Sequence, residues 1–417
     1  MLNNYICTVD IGSSKISAVL AEIKKGRLSA VFFESMASKG IKHGLILDSI
    51  ALVESIGSIL KNLKVKSGIN IKSIYANITG QDIVNKHSRA IIPLAERGNK
   101  VITLSDLEQV NEQARILGSS LEEEIIHQIP FSYTIDSQSN ISNPVGLYSH
   151  RLEIDLYLIC AKLSSIQNLT RVINQSGYEI KGLLFSGLAT SKAIFDGEFK
   201  EGINILCDIG SDITELLVFE DGMLKDIKVL LFGGDDLTLE LSQGLKIPFD
   251  LAEDIKRSYA LVGEQGRINE NKEILVKKHN VYKPIKQRLV AEMITAKTEL
   301  FCNTLKGNLE KMIPCAEINN FVATGRTVLL EGFLETLENS LGISVKLGRI
   351  TSPDISFLVN KDDGLAGHKH LAYLTCLGML CEILERSKSK AASSALTPQN
   401  FIFNAVNKFK EIYQEYF

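Results

Sequence analysis

The sequence predicts an α/β fold of two related lobes, with a small subdomain inserted into the first lobe and an amphipathic helix at the end. Three observations carry this. A strand-turn-strand unit at residues 6–22, ICTVDIGSSKISAVLAE, recurs at residues 203–224 as INILCDIGSDITELLVFEDGML, so that Asp10-Ile11-Gly12-Ser13 becomes Asp208-Ile209-Gly210-Ser211. Each unit also closes on a Gly-x-Leu turn, at Gly26 and at Gly222, and a match extending over both strands and both turns reads as two copies of one unit. Alternating strand and helix signals continue through both halves, and the last residues carry an apolar helical face of their own. With 417 residues, 45% of them hydrophobic, the chain can bury more than one core.

The first lobe spans residues 1–80 and 163–200 and is closed by residues 365–386. After the opening hairpin a strand runs over residues 28–35, and Gly40, Lys42, His43 and Gly44 mark a loop. Ile50, Val53, Ile56, Ile59, Leu60 and Leu63 have helical spacing and lead into a strand at residues 73–79. The order then changes to strand (83–94), helix (105–117), strand (125–135) and strand (152–160), an insert over residues 81–162. Ser105 followed by Glu108 predicts a capping box at that helix. A helix (164–175), a strand (180–185) and a helix (188–195) return the chain to the first lobe.

The second lobe covers residues 201–234 and 310–364, with an outer subdomain at 235–309. It holds helices at 237–245 and 251–262, hairpin-like sequence at 267–281, and a long helix at 285–309 with Leu289, Met293, Ala296, Leu300 and Leu305 on its apolar positions. A strand at 319–325 runs into a helix at 328–341, and a strand follows at 344–347. Residues 371–384 are apolar but include Thr375, Gly378 and Glu382, which makes a core helix too short to span a bilayer. Residues 387–398 are small and polar, as in a flexible linker.

Residues 399–417 place Phe401, Ile402, Val406, Phe409, Ile412, Tyr413, Tyr416 and Phe417 for membrane contact, opposite Asn404, Asn407, Lys408, Glu411 and Glu415. A tethered helix of this kind inserts into a bilayer surface or docks on a protein. Lys408 and Lys410 are balanced by Glu411 and Glu415, so binding to lipid would rest on buried apolar area, at about 25 cal/mol per Å².

Charge and cysteine content narrow the function classes. A net charge of −3 with mixed signs leaves no basic footprint for nucleic acid. The start of the chain has no basic segment followed by an apolar run, which predicts a cytoplasmic protein. Seven cysteines without a CxxC pair, among them Cys7, Cys160 and Cys207 in strand-like runs, read as buried small hydrophobes.

Asp10, Gly12, Ser13, Ser14 and Lys15 put backbone N–H groups, two hydroxyls and an ammonium at a hairpin tip, where an anion can be met. Asp10 stands where a hydrated metal can be met, and the combination suits a nucleoside triphosphate. Asp208, Gly210 and Ser211 offer a second tip, so two facing turns would grip phosphates from both sides while Asp10 and Asp208 hold a metal through water. Both stretches also read as ordinary tight turns, in which Asp and Gly are frequent. Gly325 and Arg326 follow a strand at a strand-to-helix junction, where backbone N–H groups face a ligand. Glu253 and Lys256 lie one helical turn apart and, read alone, form a solvated ion pair. The seven histidines are scattered, with His368 and His370 in a loop-like stretch, and no catalytic residue stands out. Hydrolysis of a nucleotide would then rest on positioning a water beside metal-bound phosphates.

This order of phosphate turn, connecting helix, second phosphate turn and glycine turn resembles the actin, Hsp70 and sugar-kinase superfamily. Within it the chain resembles the FtsA family over almost its whole length. The most specific stretch is HQIPFSYTIDSQSNISNPVGLYSHRLEIDLYLI at residues 127–159, similar to the FtsA segment with HxIPxxYxID and NPVGL before a strand. The resemblance implies an actin-like fold of two ribonuclease H-like domains, in which residues 81–162 are subdomain 1C and the lobes are subdomains 1A, 2A and 2B. It implies Asp10, Gly12, Ser13 and Lys15 as the first phosphate motif, Asp208 and Gly210 as the second, Gly325 as the adenosine motif, and Glu253 with Lys256 as the sugar contacts, with ATP and Mg2+ as cofactors.

The family further implies a peripheral protein on the cytoplasmic face of the cell membrane at the division site. There it tethers FtsZ, recruits other division proteins through subdomain 1C and polymerises like actin, with at most slow ATP hydrolysis. The chain departs from the family pattern at Ser211-Asp212-Ile213, where a glycine-rich run is usual, at Arg326, where a second glycine is usual, and in its balanced, tryptophan-free tail. A pilus assembly scaffold related to FtsA and a sugar-kinase-like phosphotransferase are the alternatives on the same fold. The terminal helix argues against the first, and the lack of an identifiable catalytic aspartate argues against the second.

Overall fold

The computed structural model describes residues 5–24, 27–95, 98–196, 199, 201–263, 273–278, 281–359 and 365–393. Two five-stranded sheets share one topology. In the first, Tyr5–Ile11, Lys15–Lys24 and Arg27–Ala37 form an antiparallel meander, and Ser73–Ile78 and Glu179–Phe185 extend it in parallel beyond the opening strand. In the second, Ile203–Ile209, Thr214–Glu220 and Met223–Leu230 repeat the meander, and Asn320–Thr324 and Val345–Leu347 repeat the parallel extension. The duplication seen in the turns is thus a duplication of sheet order.

Parallel neighbours need crossovers, and helices supply them. The helix Ser49–Ser67 starts on Asp48, whose carboxylate accepts from Ile50 N and Ala51 N, and ends on Gly68 at φ 71°. Those are the caps the backbone requires: an acceptor for unpaired N–H groups and a residue free to turn left-handed. Leu52, Ile56, Ile59, Leu60 and Leu63 recur on one face and bury against Val9, Ile16, Ala18 and Leu20 of the first sheet. In the second lobe the crossover holds Gly234–Leu245, Phe249–Tyr259, the hairpin of Glu273–Lys278 with Val281–Lys286, and the helix Gln287–Met312.

The helix Ser186–Ile194 lies where the lobes meet. Ala189, Ala193 and Ile194 share one continuous core with Val19, Ala21 and Phe33 of the first sheet and with Ile205, Leu206, Leu216 and Leu217 of the second. The helix Leu374–Ser393 crosses it so closely that a Cβ on Gly378 would stand 1.7 Å from the Ala189 carbonyl oxygen, so only glycine fits at the crossing.

The inserted stretch forms its own antiparallel sheet, ordered Gln138–Ile141, Glu123–Ile135, Arg151–Lys162, Ile83–Pro93, with the helix Leu104–Gly118 on one face. Val110 and Ala114 bury against Ile92, Leu152, Leu156 and Leu158. The helix begins earlier than Ser105. Thr103 is its cap, and Asp106, not Glu108, completes the capping box, because Asp106 reaches the Thr103 N–H at 2.9 Å while Lys100 holds its other oxygen at 2.8 Å.

Two other expectations change. The helix predicted over residues 328–341 is broken into a short 3-10 turn, Arg326–Leu329, and the helix Phe333–Leu341. Gly332 between them turns to φ 83°, because the chain is drawn in to bond with residue 262, where Val262 N meets the Glu331 carbonyl at 2.9 Å. Residues 387–393, assigned to the linker, continue the helix Leu374–Ser393; their lysines, alanines and serines contain no Gly or Pro to stop it. The rest of the linker and the whole stretch 399–417, with Phe401, Ile402, Val406, Phe409, Ile412, Tyr413, Tyr416 and Phe417, lie outside the described residues. Among the described residues no helix is long and apolar enough to cross a membrane.

Candidate nucleotide cleft

Both hairpin tips are built alike. Ile11 pairs with Ile16 and Ile209 with Thr214, which leaves a four-residue loop in each. The loops close with the same bond, Gly12 N to the Lys15 carbonyl at 3.0 Å and Gly210 N to the Ile213 carbonyl at 2.8 Å. A Cβ at Gly210 would stand 2.9 Å from that carbonyl oxygen, too close for a side chain, and one at Gly12 would stand 3.0 Å from its counterpart, a tight contact that the turn would have to relieve. The sheet register then sets Asp10 opposite Ser17 and Asp208 opposite Glu215.

Around the first tip, the Asp10 carboxylate is held at both oxygens. Lys15 Nζ donates to Oδ2 at 3.1 Å and Asn77 Nδ2 to Oδ1 at 2.8 Å. Asn77 also donates to Ser186 Oγ at 2.9 Å and accepts the Ile11 N–H at 2.6 Å, so it fixes the strand end as well as the carboxylate. Lys15 has two further acceptors, Ser17 Oγ at 3.0 Å and the Ala372 carbonyl at 2.6 Å. An ammonium has three donors, and all three are engaged inward. Lys15 therefore neutralises Asp10, and a phosphate would have to exchange for one of its partners.

The second tip faces a more acidic floor. Thr190 Oγ1 donates to Asp208 Oδ2 at 3.3 Å, and burial together with the Asp10 carboxylate pushes the Asp208 pKa up to about 6. Glu215, only 4% exposed, takes a hydrogen bond from the Thr79 hydroxyl; burial and then Asp208 push its pKa up to about 8. Asp212 does not point at this floor. It is 3% exposed, and its carboxylate accepts the His43 N–H at 2.5 Å while its carbonyl meets His43 Nδ1 at 3.0 Å. The second tip is thereby tied to the Gly40–Gly44 loop of the first lobe.

The glycine turn joins the same cleft. Gly325 has φ 89°, and a Cβ there would fall 2.1 Å from the Ile209 carbonyl oxygen. Thr327 Oγ1 donates to the Gly210 carbonyl at 2.9 Å, and Arg326 reaches Ser14 Oγ across the cleft at 3.4 Å. Gly234 N donates to the Gly210 carbonyl at 3.1 Å and Asp235 N to the Ser211 carbonyl at 2.5 Å, so the start of the helix Gly234–Leu245 lies against the second tip.

Lys256 is no solvated partner of Glu253. It is 6% exposed and donates to the Gly234 carbonyl and Thr238 Oγ1, both at 2.7 Å, and to Glu253 Oε2 at 2.6 Å. Burial outweighs its carboxylate neighbours and holds its pKa below the usual lysine value. The pair braces the turn beside the second tip from within.

Asp10, Gly12, Ser14, Lys15, Asp208, Gly210, Ser211, Gly325 and Arg326 thus converge, with Glu253 and Lys256 behind them. Among the described residues no three His, Cys, Asp or Glu side chains gather as a direct metal-binding set. Asp10 and Asp208 repel each other across the cleft floor, which suits a cation held through water better than bare repulsion. Sequence reasoning missed Asn77, Thr190, Glu215, the bond of Asp212 to His43, and Gly233 with Gly234. Only two of these carried a signal: Glu215 stands opposite an aspartate of the repeat, and Gly233-Gly234-Asp235-Asp236 has the look of a helix start.

Comparisons with known proteins agree with this geometry. A family model described as Cell division protein FtsA matches residues 205–378, and one described as SHS2 domain inserted in FTSA matches residues 80–160. The chain is 26% identical over 353 residues to the cell division protein FtsA of Borreliella burgdorferi, covering 84% of this chain and 85% of that protein. It is 25% identical over 350 residues to that of Pseudomonas aeruginosa, covering 82% of each. Among solved structures, one of a PilM-PilN type IV pilus biogenesis complex superposes with a TM-score of 0.59 at 14% identity, covering 91% of this chain and 98% of that one. The ethanolamine utilization protein EutJ of Carboxydothermus hydrogenoformans superposes with a TM-score of 0.51 at 16% identity, covering 91% and 89%. These two show the fold alone. With two sheets of one topology, a pair of glycine turns and an insert that matches its own model, the chain has an actin-like α/β fold and belongs to the FtsA family of cell division proteins.

Proposed function

We propose that the chain binds ATP with magnesium in the cleft between its two glycine turns. As a peripheral protein on the cytoplasmic face of the membrane at the division site, it then tethers FtsZ filaments there through residues 399–417. The observation that carries the nucleotide reading is the pair of identically closed tips, at Gly12 and Gly210, converging with the Gly325 turn. Magnesium, held through water by Asp10 and Asp208, would draw charge from phosphate oxygens. Ser13 and Ser14 with the backbone of the first tip supply donors, Arg326 supplies a cation across the cleft, and Glu253 with Lys256 supports the sugar side.

Turnover is slow on this reading. Glu215 lies on the acidic floor, but at neutral pH a carboxyl group with a pKa of about 8 holds its proton and is a weak base. The cleft acts as a nucleotide sensor that biases self-association into filaments, and the 81–162 subdomain receives other division proteins.

Titration of the full chain with fluorescent ATP, with and without magnesium, tests the site. Asp10→Ala is expected to weaken binding by about tenfold or more, since one charge-assisted contact is worth about 1.5–3 kcal/mol; unaltered affinity would sink the assignment. For the anchor, removal of residues 399–417 should leave a folded protein that no longer sediments with liposomes. Equal sedimentation of both forms defeats it.

A further inference from the structure

We infer that His127 is a positioning residue that couples the inserted subdomain to the nucleotide cleft, a proposal that rests on the nucleotide reading above. His127 lies on the insert strand Glu123–Ile135 and is 6% exposed. Its Nε2 accepts the Phe185 N–H at 2.9 Å. An accepting Nε2 requires the tautomer protonated at Nδ1, and burial pushes the ring pKa down to about 4, which keeps it neutral at physiological pH.

Phe185 is where the consequence begins. It ends the strand Glu179–Phe185 of the first lobe and directly precedes the helix Ser186–Ile194, which has no side-chain cap of its own. The first turns of that helix touch the surroundings of every carboxylate on the cleft floor. Ser186 Oγ accepts from Asn77 Nδ2, which also holds Asp10 at 2.8 Å. A Cβ on Gly187 would stand 2.8 Å from Glu215 Oε2, and the Gly187 N–H bonds that carboxylate. Thr190 Oγ1 donates to Asp208 at 3.3 Å.

The amide that begins this helix is therefore anchored outside its own lobe, on an imidazole of the insert. A buried N–H left without an acceptor is costly, so the helix start has to follow the insert or lose its bond. Displacement of the insert by a docked protein moves Phe185, then Ser186 and Asn77, and with them the Asp10 carboxylate. By linkage, nucleotide in the cleft biases the position of the insert by the same factor. The chain of contacts is contiguous, and both ends of it are bonded groups with defined geometry.

The test uses the full chain, fluorescent ATP with magnesium, and three forms: unaltered, His127→Leu and His127→Gln. Leucine fills the volume without an acceptor, whereas the Gln Oε1 can take the same amide hydrogen. His127→Leu is expected to weaken ATP binding by about fivefold or more, the lower range of measured couplings, and His127→Gln to stay within about twofold of the unaltered chain. Hydrogen exchange gives the reciprocal arm: magnesium-ATP should slow exchange in peptides from residues 123–135 in the unaltered chain and in His127→Gln, and leave it unchanged in His127→Leu.

Equal ATP affinity and equal protection in His127→Leu overturn the inference, as does equal weakening by both substitutions, which would mean packing alone. If His127→Leu does not fold, Ser186→Ala cuts the same path from its other end, and persistence of the nucleotide-dependent protection in that variant overturns it. Failure of the unaltered chain to bind ATP defeats the nucleotide reading itself, and this inference with it.

Discussion

The first and second glycine turns close with the same backbone bond, yet their side chains serve opposite purposes. In the first, Lys15 folds back on Asp10, and its remaining donors go to Ser17 and the Ala372 carbonyl within the same lobe. In the second, Asp212 leaves its own lobe and takes the His43 N–H of the other. The backbone of a phosphate turn is thus duplicated, while one copy is electrostatically self-contained and the other acts as a clasp between lobes. A carboxylate so engaged adds negative charge beside a cleft that already contains Asp10 and Asp208, whereas Glu215 holds its proton at neutral pH. The difference teaches that duplication preserved the hydrogen-bond frame and left the charges free to diverge.

The largest expected effect breaks the second turn's support. Gly325→Ala has to place a Cβ 2.1 Å from the Ile209 carbonyl oxygen at φ 89° and ψ 161°, a region open essentially to glycine alone. A loss of about 3 kcal/mol of unfolding free energy is expected in denaturant titrations. An unchanged midpoint would mean that the turn is free to shift.

Glu215→Gln sharpens the contrast between Ser17 and Glu215, which occupy equivalent places opposite the two aspartates. The folded-state pKa of Glu215 is raised to about 8 from the ordinary carboxyl value of about 4.5, so the folded protein holds the proton more tightly than the unfolded chain. Ionisation therefore lowers stability progressively as pH rises from about 4.5 to 8. The Gln variant lacks this loss. Without added divalent cation it should gain on the unaltered chain by about 2 kcal/mol or more by pH 8, with little gain near pH 4.5. A difference that stays flat with pH contradicts this.

Asp212→Asn keeps the size of the side chain and removes its charge. Weaker repulsion of an anionic ligand should raise ATP affinity severalfold, on the order of 1 kcal/mol, in the same fluorescence titration. Reduced affinity would show instead that the clasp organises the site. The smallest effect belongs to Ser14→Ala, whose hydroxyl meets Arg326 at only 3.4 Å across the cleft. Stability should change by no more than about 0.5 kcal/mol, and a larger loss would make this contact a second clasp.

Much of this protein was legible because its signals are local. The tight turns at Gly12 and Gly210 close on bonds within their own four residues, and the Asp48 and Gly68 caps answer the unpaired ends of their own helix. Asp10 and Asp208 could be named because each sits at a fixed offset from such a turn. Asn77, Thr190 and His127 could not. They are single polar residues in strands and a helix, and what each does depends on a partner brought near by sheet register: Asp10, Asp208 and the Phe185 amide.

The helix ends show the same division. Thr103 displaced Ser105 as a cap through local contacts, since Asp106 closes the box with Thr103 and Lys100, just before the helix, holds the Asp106 carboxylate in place. Residues 387–393 joined a helix whose buried part is anchored by its crossing with Ser186–Ile194 at Gly378. By itself the sequence determined the repeated sheet frame, the glycine turns and the insert, since these follow from backbone conformation and periodicity within short windows. Only the tertiary structure decided that Lys15 turns inward, that Asp212 crosses to the other lobe and that Lys256 is buried. Those outcomes depend on which charges and hydrogen-bond partners the crossovers bring together, and pairing over such distances is set by packing rather than by neighbours in the chain.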